Sequence, residues 1–208
     1  MKIFNVLSAS ALAVAFTVAP PAAHAEHITP PAVPDNLKVA EGSKAFLVGH
    51  ATGTQNYICL PSGTGFAYSL FTPEATLFSE HFKQLTTHFF SVNPSPADNG
   101  AIRATWQHSR DTSTIWAKVA VDGISTDERF VRRGAVAWLL LDVVGTQEGP
   151  SGGDTLTVTT QVQRLNTSGG AAPSTGCSVA TDVGTKAFVP YTADYFFYTI
   201  PDGDDDSN

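Results

Sequence analysis

Apolar positions in this chain recur mainly every second residue, not every 3.6. Phe66, Tyr68 and Leu70 alternate with Ala67 and Ser69. Ile102, Ala104, Trp106 and His108 alternate with Arg103, Thr105, Gln107 and Ser109. Ile115, Ala117, Val119 and Val121 share a face opposite Trp116 and Lys118. Leu156, Val158 and Val162 alternate with Thr155, Thr157, Thr159 and Gln161. Each stretch predicts a strand with one buried and one wet face. Residues 135–144 are apolar except for Asp142, which predicts a central strand covered on both faces. Residues 189–200, rich in Tyr and Phe, predict a final strand pair.

Turn formers separate these runs: Pro61-Ser62-Gly63, Thr72-Pro73, Asn93-Pro94-Ser95-Pro96, Asp122-Gly123, Gly149–Gly153 and Ser168-Gly169-Gly170. Many short strands with frequent Gly/Pro turns predict an all-β protein, a single-domain β-sandwich or barrel. At most one short helix is expected, near residues 126–133, where Ser125-Thr126-Asp127-Glu128 matches a capping box.

The ends read differently. Lys2, an apolar run over residues 3–18 and Ala23-His24-Ala25 match a signal peptide covering residues 1–25, with cleavage after Ala25. This predicts a secreted or periplasmic protein with no membrane span after cleavage. Residues 26–36, with Pro30, Pro31 and Pro34, read as a Pro-rich leader, and residues 37–200 as one β domain. Residues 201–208 form an acidic tail with Asp202, Asp204, Asp205 and Asp206.

Composition narrows the partners. The 208 residues are 42% hydrophobic and 15% charged, which excludes a disordered chain. A net charge of −7 with no basic block speaks against nucleic acid or an anionic membrane as partner. The two cysteines, Cys59 and Cys177, predict one disulfide in an oxidising compartment, with two buried thiols as the alternative.

Catalytic signatures are weak. Gly149-Pro150-Ser151-Gly152-Gly153 has the letters of a nucleophile elbow, but a strand-like segment follows where the elbow needs a helix. No glycine-rich phosphate loop is complete, so no nucleotide cofactor is readable. His27, His50, His81, His88 and His108 show no metal-ligand spacing, and no metal is assigned. Among the histidines, His88, set in Thr87-His88-Phe89-Phe90, is the best site candidate, whereas His108 reads as a hydrogen-bonded core residue. Asp142 and Asp194 are acids among apolar neighbours, and a salt bridge to Arg164 would satisfy either one.

Several strings stand together in a recognisable order. They are residues 53–59 (Gly-Thr-Gln-Asn-Tyr-Ile-Cys), 73–78 (Pro-Glu-Ala-Thr-Leu-Phe) and Thr87-His88-Phe89. After them come residues 138–141 (Trp-Leu-Leu-Leu), 163–167 (Gln-Arg-Leu-Asn-Thr), 169–173 (Gly-Gly-Ala-Ala-Pro) and Gly176-Cys177. Residues 189–198 (Val-Pro-Tyr-Thr-Ala-Asp-Tyr-Phe-Phe-Tyr) close the series. In this order they resemble the exported domain-of-unknown-function family 3455, over about residues 33–198. The resemblance implies export, cysteines matching Cys59 and Cys177, and no established activity. Phe90–Pro94 and Asp98-Asn99-Gly100 depart from the family's usual Gly-Pro-x-Trp and Asp-Gly-Ser strings. A malate dehydrogenase label carried by some members does not suit a chain without a readable dinucleotide fold.

Within those strings Gln55, Tyr57, His88, Arg164, Tyr191 and Asp194 are polar or amphipathic groups among apolar ones. They are candidate binding residues lining one pocket, or alternatively members of a buried hydrogen-bond network. The expected role is binding of a small molecule, glycan or cell-envelope component. The alternatives are a hydrolase, using His88 with Asp194 or a metal, and a purely structural surface protein.

Overall fold

The structure is a computed structural model that describes residues 28–201. Eight antiparallel strands follow one another around a closed barrel. They are β1 (Lys44–Ser62), β2 (Gly65–Phe78), β3 (Gln84–Val92), β4 (Ile102–His108), β5 (Thr114–Ser125), β6 (Trp138–Gln147), β7 (Gln161–Gly169) and β8 (Lys186–Thr199). Each pairs with its sequence neighbour, and β8 returns to β1 from Lys44↔Thr199 to Ile58↔Lys186. The last pairing removes both sheet edges. The all-β, single-domain expectation holds, and of the two predicted architectures the chain adopts the barrel.

Two apolar layers hold it together. Inside the barrel, alternate positions bury Leu77, Trp106, Ile115, Leu141, Val162, Tyr195 and Phe197. Leu156, from the β6–β7 connection, joins this cluster and plugs one end. Eight strands enclose a space just wide enough for side chains or one small ligand. A small residue on β1 makes room for a large one on β2: a Cβ at Gly49 would stand 2.9 Å from Leu77 Cβ.

The second layer lies on the outer wall. Leu37, Val131, Trp138, Leu140, Leu165, Phe196 and Tyr198 pack there, joined by Ile28 and Val33 of the leader and by Val39 just after it. The leader is fastened by polar contacts as well. Gln163 Nε2 donates to Leu37 O (2.6 Å), and Asn36 Nδ2 donates to Asp122 O (2.7 Å) and Ile124 O (2.9 Å). This layer covers β6 on its second face, which accounts for the apolar run of residues 135–144.

Three local expectations are corrected. No helix forms at 126–133: the Asp127 carboxylate accepts from Arg129 N and pairs with the Arg129 guanidinium, and only a single turn closes, Val131 N to Asp127 O. Phe130 and Val131 turn inward onto the outer layer instead. Residues 189–199 do not make a strand pair but belong to the one long strand β8, and Ile200 follows its end. The strand predicted from Thr155 starts only at Gln161. Its first half is drawn into turns by a tertiary contact, since Asp111 accepts from Thr155 N (3.0 Å) and Thr155 Oγ1 (2.5 Å).

Asp111 is the knot of that end of the barrel. It also accepts from Ser113 N (2.9 Å) and Ser113 Oγ (2.7 Å) and meets His108 Nδ1 at 2.8 Å. Burial would raise its pKa, but the donors of Thr155 and Ser113 outweigh that and hold the carboxyl well below the usual carboxylate range. Asp111→Ala strands these donors and frees the loop that carries Leu156. The expected loss is about 2–3 kcal/mol at neutral pH, from several charge-assisted bonds. Urea unfolding measures it, and a midpoint within error of wild type would refute the assignment.

The predicted disulfide is formed. Cys59 on β1 is bonded to Cys177 in the β7–β8 connection. The signal peptide expected over residues 1–25 and the acidic tail of residues 202–208 lie outside the described residues. Among the described residues, no helix is long and apolar enough to cross a membrane.

Candidate functional site

Side chains at alternate positions of a barrel strand point inward, and four of the six candidate residues do so around one cavity. It measures about 250 Å³ and is lined by Gln55 and Tyr57 of β1, His88 of β3 and Arg164 of β7. Trp106 of β4, Tyr195 of β8, and the apolar Leu70, Phe90, Ala104, Val119 and Leu139 complete most of its wall. The cavity lies toward the end that carries the β1–β2, β3–β4, β5–β6 and β7–β8 connections. Residues 135–137 form a side wall there. They are stitched to the end of β7 by Val136 N to Gly169 O (2.9 Å) and Thr167 Oγ1 to Val136 O (2.7 Å).

His88 is fixed on three sides. Its ring stacks on Trp106 with centroids 4.3 Å apart and planes 9° apart, and Tyr195 leans against it at 5.2 Å. Nδ1 donates to Thr105 O at 2.9 Å, which leaves Nε2 as a hydrogen-bond acceptor. Burial pushes its pKa down to about 3, opposed by the Thr105 bond, so the ring is neutral at physiological pH.

Arg164 is the charged group of the cavity. Its Nε (3.1 Å) and Nη2 (2.9 Å) both donate to Ala137 O. Among the described residues no carboxylate lies within ion-pair distance of it, and no acid lines the cavity. The salt bridge anticipated from Asp142 or Asp194 is therefore absent. Asp142 accepts from Gln161 Nε2 at 2.9 Å instead. The nearby hydroxyls stay protonated. Burial raises Tyr57 and Tyr195, with Arg164 opposing in both, and burial and the neighbouring Tyr195 raise Tyr191.

Two candidates stand apart. Tyr191 is buried in the inner cluster behind the cavity, with its hydroxyl 3.2 Å from that of Tyr195. Asp194 is on the outer wall, where His50 Nδ1 meets it at 2.7 Å and Asn166 Nδ2 donates to it at 2.8 Å. The His88–Asp194 pair of the hydrolase reading is thus separated by the barrel wall. The Nε2 of Asp194's own histidine, His50, is buried without a hydrogen-bond partner among the described residues. Nor do three His, Cys, Asp or Glu side chains converge on a point that could hold a metal ion, among the described residues.

Sequence reasoning did not single out Trp106 and Tyr195 as site residues, because both read as ordinary strand filler. Their signal was parity. Trp106 is directly opposite His88 across β3–β4, and Tyr195 directly opposite Arg164 across β7–β8.

The family model described as "Protein of unknown function (DUF3455)" matches residues 40–199. The chain belongs to the DUF3455 family. The DUF3455 match spans all eight strands and every cavity-lining residue. No curated protein and no solved structure matches the chain.

Proposed function

We propose that this DUF3455 protein is an exported binding module that holds one small organic molecule in its barrel. The observation that carries the reading is the cavity itself: apolar walls with a few convergent polar groups, at the mouth of a closed barrel, are how small-ligand sites are built. Its rigidity supports the reading. His88 is clamped by Trp106, Tyr195 and Thr105, and Tyr57 Oη donates to Gly170 O at 2.6 Å, so the polar groups are pre-oriented.

Binding is favoured over hydrolysis because the cavity holds a neutral His88 with no acid beside it. It is favoured over glycan recognition because the aromatic rings face inward rather than forming an exposed shelf. Export is supported by the Cys59–Cys177 disulfide, a state typical of oxidising compartments, and by the signal-peptide pattern.

The larger groove on the outer wall, about 820 Å³, is bordered by Ile28 and Pro201, where the described chain begins and ends. Several of its polar groups are already engaged within the chain: Lys38 pairs with Asp35, and Gln163 bonds Leu37 O and the Tyr198 hydroxyl.

The test is an NMR titration of the purified protein with octanoate and with 1-octanol. Saturable shifts of the Trp106 indole and Tyr195 ring resonances are expected with at least one probe, and Ala104→Trp, which fills the cavity, should abolish them. Silence at both residues with both probes would refute the binding reading.

A further inference from the structure

The ligand class can be read from what the cavity lacks. A guanidinium has five N–H donors, and Arg164 spends two on one backbone carbonyl. A partly buried cation without an anion is costly, and such charges are normally paired. One further donor faces the same shortage. Trp106 is fully buried with Nε1 unbonded, among the described residues. An indole N–H can only donate, and no acceptor among the described residues is bonded to it, so a ligand acceptor in the cavity would satisfy it.

The wall above these groups has the opposite character. His88↔Trp106, Phe90↔Ala104 and Val92↔Ile102 are successive same-face pairs on β3 and β4. The inner face therefore runs outward from a polar floor to an apolar rim. That rim is wet: Val92 is 58% and Ile102 64% exposed, and Leu70 and Val119 are 38% and 39% exposed. At about 250 Å³ the cavity takes a head group and a few carbons, and a longer apolar chain would leave across this rim.

We infer that the ligand is an amphipathic organic acid, whose carboxylate meets Arg164 and whose apolar chain lies along Phe90, Ala104, Val92, Ile102, Leu70 and Val119. This rests on the binding reading above and adds the charge and orientation of the ligand. A carboxylate suits the guanidinium fork geometrically, and its two oxygens can accept from several donors at once. The tail is assigned to the rim because rim and cavity are one continuous face.

The experiment compares octanoate with 1-octanol, at neutral pH, by calorimetry on the full exported protein. Octanoate should bind at least about tenfold more tightly than the alcohol, the worth of one charge-assisted pair. Arg164→Gln should erase that preference, and Arg164→Lys should restore part of it. Val92→Ser and Ile102→Ser, at exposed rim positions beyond the cavity lining, should weaken octanoate several-fold and weaken butyrate much less, because the short acid ends inside the cavity.

Equal affinity for acid and alcohol in the wild-type protein would overturn the inference and leave the cavity reading standing. Binding of neither would overturn both. An Arg164→Gln protein that melts earlier yet keeps the octanoate preference would show that Arg164 merely braces Ala137. Should the rim instead join two copies of the chain, Val92→Ser would abolish a concentration-dependent dimer without touching octanoate affinity, and the tail assignment would fall.

Discussion

Replacing both cysteines by alanine should cost the barrel up to about 5 kcal/mol, the largest loss expected from any change that leaves the core aromatics in place. Cys59 and Cys177 are 118 residues apart in sequence. In the chain-entropy account, a cross-link over a loop of that length removes about 5 kcal/mol of freedom from the unfolded chain. The folded state loses less. Around Cys59 the backbone is already tied to the same connection, through Cys59 N to Thr185 O and Gly184 N to Cys59 O, both 2.9 Å. The barrel should therefore keep its closure and its cavity while unfolding at much lower denaturant. Guanidinium titration of the Cys59→Ala/Cys177→Ala protein measures the difference. A loss below about 1 kcal/mol would mean that the bridge fastens only a surface loop and does not restrain the unfolded chain.

That long separation also marks what a sequence can show of this fold. Period two is a local property, and it revealed the strands because each has one face in the barrel and one outside. Closure is not local. It depends on β1 meeting β8, where His50 pairs with Asp194 across 144 residues. No pattern near either strand encodes that pairing, so sandwich and barrel looked alike. The same limit explains the segment from Thr155 to Thr160. Its alternation is real, but Asp111, 44 residues earlier, captures Thr155 and bends the chain. The leader is a parallel case: its Pro-rich sequence shows little hydrophobicity, yet Ile28 and Val33, with Leu37 and Val39 just after it, pack onto the outer wall.

The cavity was partly legible for a related reason. Gln55, Tyr57, His88 and Arg164 stand out because polar groups are costly among apolar neighbours and need an explanation. Asp194 stood out equally, but strand parity already separates it. Tyr191 and Asp194 are three apart, so they face opposite sides of β8, and Tyr195 rather than Asp194 shares the inner face with Tyr191. Trp106 could not be distinguished from core filler by type alone, since its functional interest lies in an indole N–H left without an acceptor.

Acid should destabilise this protein well before its carboxylates titrate, and His88 is the reason. Its folded pKa is about 3, against 6.5 for a free imidazole, because burial disfavours the charged ring. Below pH 6.5 the unfolded chain binds a proton that the folded barrel refuses. The stabilisation that His88 contributes is thus complete above pH 6.5 and declines as pH falls, until the folded pKa is reached. Linkage puts the loss at about 3 kcal/mol between pH 7 and pH 4. Asp111 and Asp98, whose folded pKa values are depressed, add their losses mainly below that window. His88→Phe keeps a ring against Trp106 but cannot titrate. Its absolute stability should fall, because Thr105 O loses its donor, yet its decline between pH 7 and pH 4 should be shallower than wild type by about 3 kcal/mol. Urea midpoints across that range decide the matter. Parallel curves for the two proteins would mean that His88 takes up its proton inside the folded barrel. In that case the cavity would carry a second positive charge beside Arg164 in acid, and octanoate affinity should rise rather than hold as pH drops to 6, where the ligand is still ionised.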